Sequence, residues 1–304
     1  MKKAQKDPIF IGGDGRSGTT LLSLILNSHK DIACGPELHF RGPKNLGSYI
    51  LECLDKEKSS EKDIVELKKI KELNPGMNFI IRCHRMGISS DKLKEAIINI
   101  KGKEKCNIET FEERCKLIDL LGEIIKKNKG VLYWGIKIMR DIKILNKYIE
   151  IWPEAKFIHI VRDGRDVAAS QMIDHSSWGY TDIESAALGW VDIINRARNY
   201  AKKFPVCEIR YEDLILTPEK TLMDICGFLE IEWDDSLMSH HLKNHSLFKN
   251  HYNHPSINSV INPMNDSSIG RYKKDLTQQD ILIFNKIAFD VLNTLQYTVK
   301  FDEI

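Results

Sequence analysis

The sequence predicts an α/β fold with a central parallel sheet, on three observations. Short runs of β-branched and aromatic residues alternate with longer segments of helical period. The runs at Ile9 and Phe79 are continuously apolar and the one at Phe157 is broken only by His159, as in strands covered on both faces. Glycine-rich or charged turns then follow two of the runs where a helix begins. Ile9-Phe10-Ile11, Phe79-Ile80-Ile81, Phe157 to Val161 and Val206 to Tyr211 read as strands. Thr19 to Ser28, Phe111 to Lys127, Asp141 to Ile151, Arg165 to Asp174 and Asp182 to Phe204 read as helices. In the last of these, Ile183, Ala186, Ala187, Trp190, Val191, Ile194 and Ala197 share one face. Thr217 before Pro218 marks a helix start with proline at its first position, and Thr277-Gln-Gln-Asp280 resembles a capping box. The Lys/Glu-rich stretch from Asp55 to Asn74 and the His/Asn/Ser/Pro-rich stretch from His240 to Ser268 are expected to be insertions or mobile segments, and no internal repeat is present.

Composition narrows the function. The chain has 304 residues, 42% of them hydrophobic and 29% charged, which places it with ordinary soluble globular proteins and excludes disordered and fibrous classes. A net charge of +2 makes no global case for nucleic acid or an anionic membrane, so any anion site must be local. No apolar run is long enough to span a bilayer, and a strand-like segment follows Met1 to Asp7 almost at once, so no signal peptide or anchor is expected. Seven cysteines, odd in number and without a C-x-x-C pair, point to reduced thiols in a cytoplasmic protein rather than disulfides or zinc.

The first chemical motif is Gly12-Gly-Asp-Gly15-Arg16-Ser17-Gly18-Thr19-Thr20, between the strand at Ile9 and the apolar helix that begins at Thr19. A strand, a glycine-rich turn and a helix N-terminus aim backbone N–H groups and a positive dipole end at one point, which is an anion cradle. Against the nucleotide-triphosphatase pattern G-x-x-x-x-G-K-[ST], Gly13 and Gly18 fit, but Thr19 stands where lysine should reach the β- and γ-phosphates. The positive charge sits instead on Arg16, inside the loop, while Thr19 and Thr20 offer hydroxyls. The plain alternative is a glycine turn that merely ends a strand.

The R-S-G-T-T-L loop resembles the 5′-phosphosulfate loop of sulfotransferases that use 3′-phosphoadenosine 5′-phosphosulfate (PAPS), and the wider spacing looks most like their tyrosylprotein and carbohydrate branch. The resemblance implies a P-loop-type three-layer sandwich with a central parallel sheet and helical insertions. It also implies that Gly15, Arg16, Ser17, Gly18, Thr19 and Thr20 hold the sulfate-bearing 5′-phosphate.

A second match lies at Phe157-Ile-His-Ile-Val161-Arg162-Asp163-Gly164-Arg165-Asp166-Val167-Ala168-Ala169-Ser170. Arg162 leaves the carboxyl end of a strand, where α/β sheets bind ligands, and Ser170 follows about two turns into a helix. The segment resembles the family's 3′-phosphate motif, which implies that role for Arg162 and Ser170. A turn of surface ion pairs is the alternative for the segment taken alone. Ile209-Arg210-Tyr211-Glu212-Asp213-Leu214 resembles the family's R-Y-E-D-L segment and places Tyr211 near the adenosine, although a half-buried strand tyrosine fits equally. Ser267-Ser268-Ile269-Gly270-Arg271-Tyr272 resembles the loop that closes over the nucleotide phosphates, with Arg271 as its cation. Tyrosylprotein enzymes carry a serine where this chain has Gly270; Ser267 or Ser268 would serve if the loop is shifted.

Sulfuryl transfer needs in-line positioning, a base for the acceptor proton, and cations near the bridging and equatorial oxygens, with no metal required. Glu37 lies just after the first helix, at the sheet edge where the anion loop opens, and stands 21 residues after Arg16, the spacing of the family's glutamate base. His39 and His84 are the alternative bases, an imidazole having the better unperturbed pKa. Lys137 matches by order the family's lysine that stabilises the leaving oxygen. Glu37, Arg16 and Lys137 are therefore the expected catalytic set.

Five histidines, at 240, 241, 245, 251 and 254, lack the carboxylate or thiol that would complete a metal set, and a solvated loop near the acceptor is the expectation. The reading is thus one sulfotransferase domain over residues 1–304, with acceptor-side insertions at about 49–130 and 235–265. PAPS is its co-substrate and a carbohydrate, small-molecule or tyrosine hydroxyl its acceptor. Neither nucleic acid nor a membrane span is expected, and a homodimer is left open. A P-loop phosphotransferase and a non-catalytic nucleotide-binding module are the competing classes.

Overall fold

The computed structural model describes residues 7–38, 43–57, 75–102, 107–173, 179–243 and 260–299. Five strands form one parallel sheet: β1 (Ile9–Gly12), β2 (Ile32–Gly35), β3 (Tyr133–Met139), β4 (Lys156–Val161) and β5 (Val206–Arg210), in the order β2-β3-β1-β4-β5. Chain direction through the sheet reverses around β1 and β4: β1 leads outward to β2, and β4 leads the other way to β5. The crevice beyond the carboxyl ends of these two adjacent strands is where open α/β sheets bind ligands.

Strand periodicity sorts the side chains onto two buried faces. Phe10, Ala33, Trp134, Ile136 and Phe157 pack with α2 (Leu46–Glu57), α3 (Pro75–Arg85), α4 (Ser90–Lys101), α5 (Phe111–Lys129) and α6 (Leu145–Ile151). Ile9, Ile11, Ile32, Ile158 and Ile160 pack the other way, against α1 (Thr19–Ser28) and, further along, α9 (Tyr211–Leu216) and α10 (Pro218–Leu229). A third cluster joins α7 (Gly164–Ile173), α8 (Ile183–Ala201) and α12 (Gln278–Thr294), the last reached through the short α11 (Tyr272–Asp275). The predicted α/β layering with helical insertions is the architecture observed.

One predicted strand is a helix. Phe79-Ile80-Ile81 lies inside α3, because a three-residue apolar run does not distinguish the two. Met77, Phe79, Ile80 and Cys83 are buried at spacings of three and four, a helical stripe packed within the cluster that holds α2 and α4. The segment predicted as a helix from Asp141 divides into a 3₁₀ turn, Arg140–Ile144, and α6. Tyr211, predicted as strand, opens α9. The insertion expected at about 49–130 carries α2 to α5, all on one side of the sheet, while much of 55–74 and 240–268 lies outside the described residues.

Candidate active site

The loop after β1 turns on two glycines and one arginine. Gly13 has φ +152° and Gly18 φ +99°; a Cβ at Gly13 would sit 2.5 Å from the Ile160 carbonyl oxygen, and one at Gly18 would sit 2.6 Å from Tyr211 Cδ2. Arg16 itself adopts φ +71°, a left-handed conformation that costs a non-glycine residue about 1–2 kcal/mol. A buried bracket holds that conformation. Gly15 N–H and Arg140 Nε both donate to Asp14 Oδ1 at 2.7 Å, Arg140 Nη2 donates to Gln171 Oε1 at 3.0 Å, and Gln171 Nε2 donates to the Gly15 carbonyl at 2.8 Å. Burial pushes the Asp14 carboxyl above its usual range, and the Arg140 guanidinium opposes that shift.

The turn after β4 meets this loop. Arg162 Nη1 donates to the Arg16 carbonyl at 3.1 Å and Nη2 to the Ser268 carbonyl, while the guanidinium lies 4.7 Å from the centroid of the Tyr211 ring. Ser170, on α7, accepts from Arg16 Nε at 2.9 Å and from Arg271 Nη1 at 3.5 Å. Arg16, Arg162, Ser170, Tyr211 and Arg271, far apart in sequence, therefore share one site. Ser17 is buried in the loop, its N–H donating to the Asp14 carbonyl. Thr19 is buried too, and its hydroxyl donates to Met139 Sδ at 3.4 Å, whereas Thr20 accepts from Lys137 Nζ at 2.9 Å.

Asp166, fully buried on α7, was read from sequence only as part of a charged turn. It accepts the N–H groups of Gly270 (2.8 Å) and Tyr272 (3.0 Å) and lies 3.5 Å from Arg162 Nη2. One carboxylate thus docks the 266–272 loop onto the β4 turn. Ser268 places its side chain against the Tyr211 hydroxyl, and Ser267 bonds Asn265, so both serines are engaged away from Gly270. Deeper still, the Arg165 guanidinium grips Asp163 through two hydrogen bonds and the Thr298 carbonyl through two more, while Tyr297 donates to Glu212, which accepts the Asp163 N–H. The end of the described chain therefore anchors the same turn.

On the β3 side, Glu37 is held at both carboxylate oxygens. Lys137 Nζ lies 2.6 Å from Oε2, and Arg82 Nη1 lies 2.8 Å from Oε1 and donates to the Glu37 carbonyl at 2.7 Å. Lys137 also bonds Thr20, so a short polar chain runs from Glu37 to the loop after β1. His84 turns to Ser90 Oγ at 3.0 Å, and His39 lies outside the described residues. Sequence reasoning missed Arg82, which sits in a helix misread as a strand. Among the described residues no group of three or more His, Cys, Asp or Glu could hold a metal ion; His245, His251 and His254 lie outside them. No helix among them is long and apolar enough to cross a membrane.

Two features test the fit to a nucleotide anion. Arg162 Nε is buried with no hydrogen-bond partner, although its other two nitrogens are bonded. Gly13 and Gly18 keep the loop backbone so close to Ile160 and Tyr211 that a side chain at either position would be obstructed. A cationic rim over a bare backbone cradle suits phosphate or sulfate oxygens.

The chain belongs to the sulfotransferase family, whose model matches residues 8–235. It is 26% identical over 240 residues to a protein-tyrosine sulfotransferase of Drosophila melanogaster, covering 76% of this chain and 40% of that one. Against protein-tyrosine sulfotransferase 1 of Homo sapiens it is 28% identical over 238 residues, covering 76% and 53%. The chain thus spans about half or less of the length of these curated relatives. The sulfotransferase domain of the Synechococcus PCC 7002 olefin synthase superposes with a TM-score of 0.59 at 19% identity, covering 99% of both chains. A sulfotransferase domain from the curacin biosynthetic pathway gives 0.57 at 17%, covering 97% and 99%. These two establish the shared fold.

Proposed function

We propose that this chain transfers a sulfuryl group from PAPS to a hydroxyl acceptor, in line, with Glu37 as general base. The observation that carries the proposal is that Arg16, from the loop after β1, and Arg271, from the 266–272 loop, meet at Ser170 on the helix after β4, while Lys137 links Glu37 to Thr20 of the same β1 loop. In this reading the Arg16 loop holds the 5′-phosphosulfate, and Arg162, Ser170 and Arg271 hold the 3′-phosphate. PAPS supplies the transferred SO3 group. Glu37, oriented by Lys137 and Arg82, accepts the acceptor's hydroxyl proton. Lys137, 3% exposed and bridging Glu37 to Thr20, offers its charge where negative charge grows on the leaving oxygen.

Among acceptors, the names of the curated relatives favour a peptide tyrosine over a sugar or another small alcohol. The phosphotransferase reading is disfavoured by Thr19, whose hydroxyl is turned toward Met139 and which brings no cation to a γ-phosphate. A cytoplasmic location belongs to the proposal as well; among the described residues six cysteines are free thiols, five of them buried, which supports it. A homodimer is part of it only as a state for sizing measurements to decide.

The test is release of 3′-phosphoadenosine 5′-phosphate (PAP) from PAPS with a tyrosine peptide, a sugar alcohol and 4-nitrophenol as acceptors. Acceptor-dependent release that is lost in Glu37→Gln is expected. Release that continues unchanged in Glu37→Gln contradicts the assignment of the base.

A further inference from the structure

Arg82 belongs to α3, in the part of the chain that the sequence motifs leave unexplained. Its guanidinium makes two bonds to one residue: Nη1 reaches both Glu37 Oε1 (2.8 Å) and the Glu37 main-chain carbonyl (2.7 Å). Nε donates to Asn78 Oδ1 at 2.9 Å, one turn earlier on the helix, which fixes the plane of the fork. The side chain is 15% exposed and that of Glu37 25%, so the pair is only partly screened by water. With Lys137 on the other oxygen, both carboxylate oxygens have fixed cationic partners from different elements.

We infer that Arg82 is a positioning residue for the reaction: it clamps backbone and carboxylate of Glu37 in one orientation and holds that carboxylate ionised. The inference rests on Glu37 being the base. A carboxylate on a chain segment between a strand and the rest of the molecule has free rotamers; a guanidinium that grips the residue at two points removes them. The clamp also lets helix α3, part of the expected acceptor-side insertion, set the reach of the base toward the acceptor. Among the described residues Glu37 faces Lys137 from β3 and Arg82 and Arg85 from α3. Burial, and after it the Arg82 charge, pushes Arg85 down to about 10, while Glu37 opposes that shift.

The experiment follows the Glu37 side-chain carboxyl by ¹³C NMR in glutamate-labelled protein, its signal identified by its loss in Glu37→Gln. An opposite charge at this range lowers a carboxyl by roughly 1–3 units, so Arg82→Gln is expected to raise the midpoint by about 1 unit. Arg82→Lys is expected to restore much of the midpoint but not the turnover, since an ammonium lacks the planar group whose Nε is fixed by Asn78 while Nη1 reaches Glu37. With 4-nitrophenol or a tyrosine peptide, kcat is expected to fall about tenfold or more in both variants while PAP affinity stays at the wild-type value.

An unchanged midpoint in Arg82→Gln overturns the inference whatever the acceptor, and equal loss of PAP binding would reassign Arg82 to general folding. An active Glu37→Gln instead removes the base reading on which the inference stands. An inactive Glu37→Gln beside an Arg82→Gln with wild-type midpoint and turnover removes the inference alone.

Discussion

Arg16 Nε donates to Ser170 Oγ across 2.9 Å, tying the loop after β1 to the helix after β4. The two segments are separated by about 150 residues of chain, and the sheet order makes them neighbours by placing β1 against β4. The same hydroxyl lies 3.5 Å from Arg271, so one small side chain links three parts of the candidate site.

Ser170→Ala removes that link. A hydrogen bond to a charged group is worth about 1.5–3 kcal/mol, so PAP affinity is expected to fall roughly 10- to 100-fold, read by calorimetry. A variant that binds PAP like the wild type would detach Ser170 from the site.

Gly18→Ala places a Cβ 2.6 Å from Tyr211 Cδ2 at φ +99°. Strain of this kind costs on the order of 1–3 kcal/mol, so a lower Tm is expected, together with weaker PAP binding because Tyr211 must move. An unchanged Tm would show that the ring yields without cost.

Asp166→Ala leaves the Gly270 and Tyr272 N–H groups without their acceptor. Faster hydrogen exchange at both amides is expected, with little change in β1 or β3, since the closing loop is held locally. Uniform loss of protection across the sheet would make Asp166 a global folding residue.

Glu208 bears on acid stability. Burial alone would raise its carboxyl, but hydrogen bonds from His159 and Arg198 hold it down at about 2, against 4.5 for the free group. Because the folded value is depressed, the stabilisation is complete above about pH 4.5 and is lost as pH falls toward 2. Glu208→Gln is expected to flatten stability against pH across that window, measured by urea denaturation, and an identical slope would place the proton uptake elsewhere.

Much of the candidate site was legible because its parts are local. The glycine-rich turn, the helix at Thr19–Ser28 and the arginine after β4 each carry a signal within about ten residues, and α1 begins and ends where its pattern does. The Thr277 capping box forms as predicted. Thr217 differs: proline does sit at the first helical position, but the threonine hydroxyl donates to the Asp213 carbonyl instead of capping. Strand β2 was overlooked because it is only four residues long and ends in Gly35, and β3 because Gly135 and Lys137 interrupt its apolar run. Arg82 was invisible for another reason. Its role arises only when α3 packs beside Glu37, a contact between residues 45 apart that no local period encodes. Asp14, Arg140 and Gln171 likewise acquire meaning only as a closed bracket.

The most direct measurement is thermal stabilisation by PAP without metal, beside AMP and Mg-ATP, in wild type and Arg162→Ala. A ligand of the folded state at a hundredfold excess over its Kd adds about 2.7 kcal/mol. The expected result is a clear rise with PAP, a smaller one with AMP, and loss of that difference in Arg162→Ala. A rise with Mg-ATP alone, or equal losses for PAP and AMP in the variant, would contradict a site that reads the 3′-phosphate.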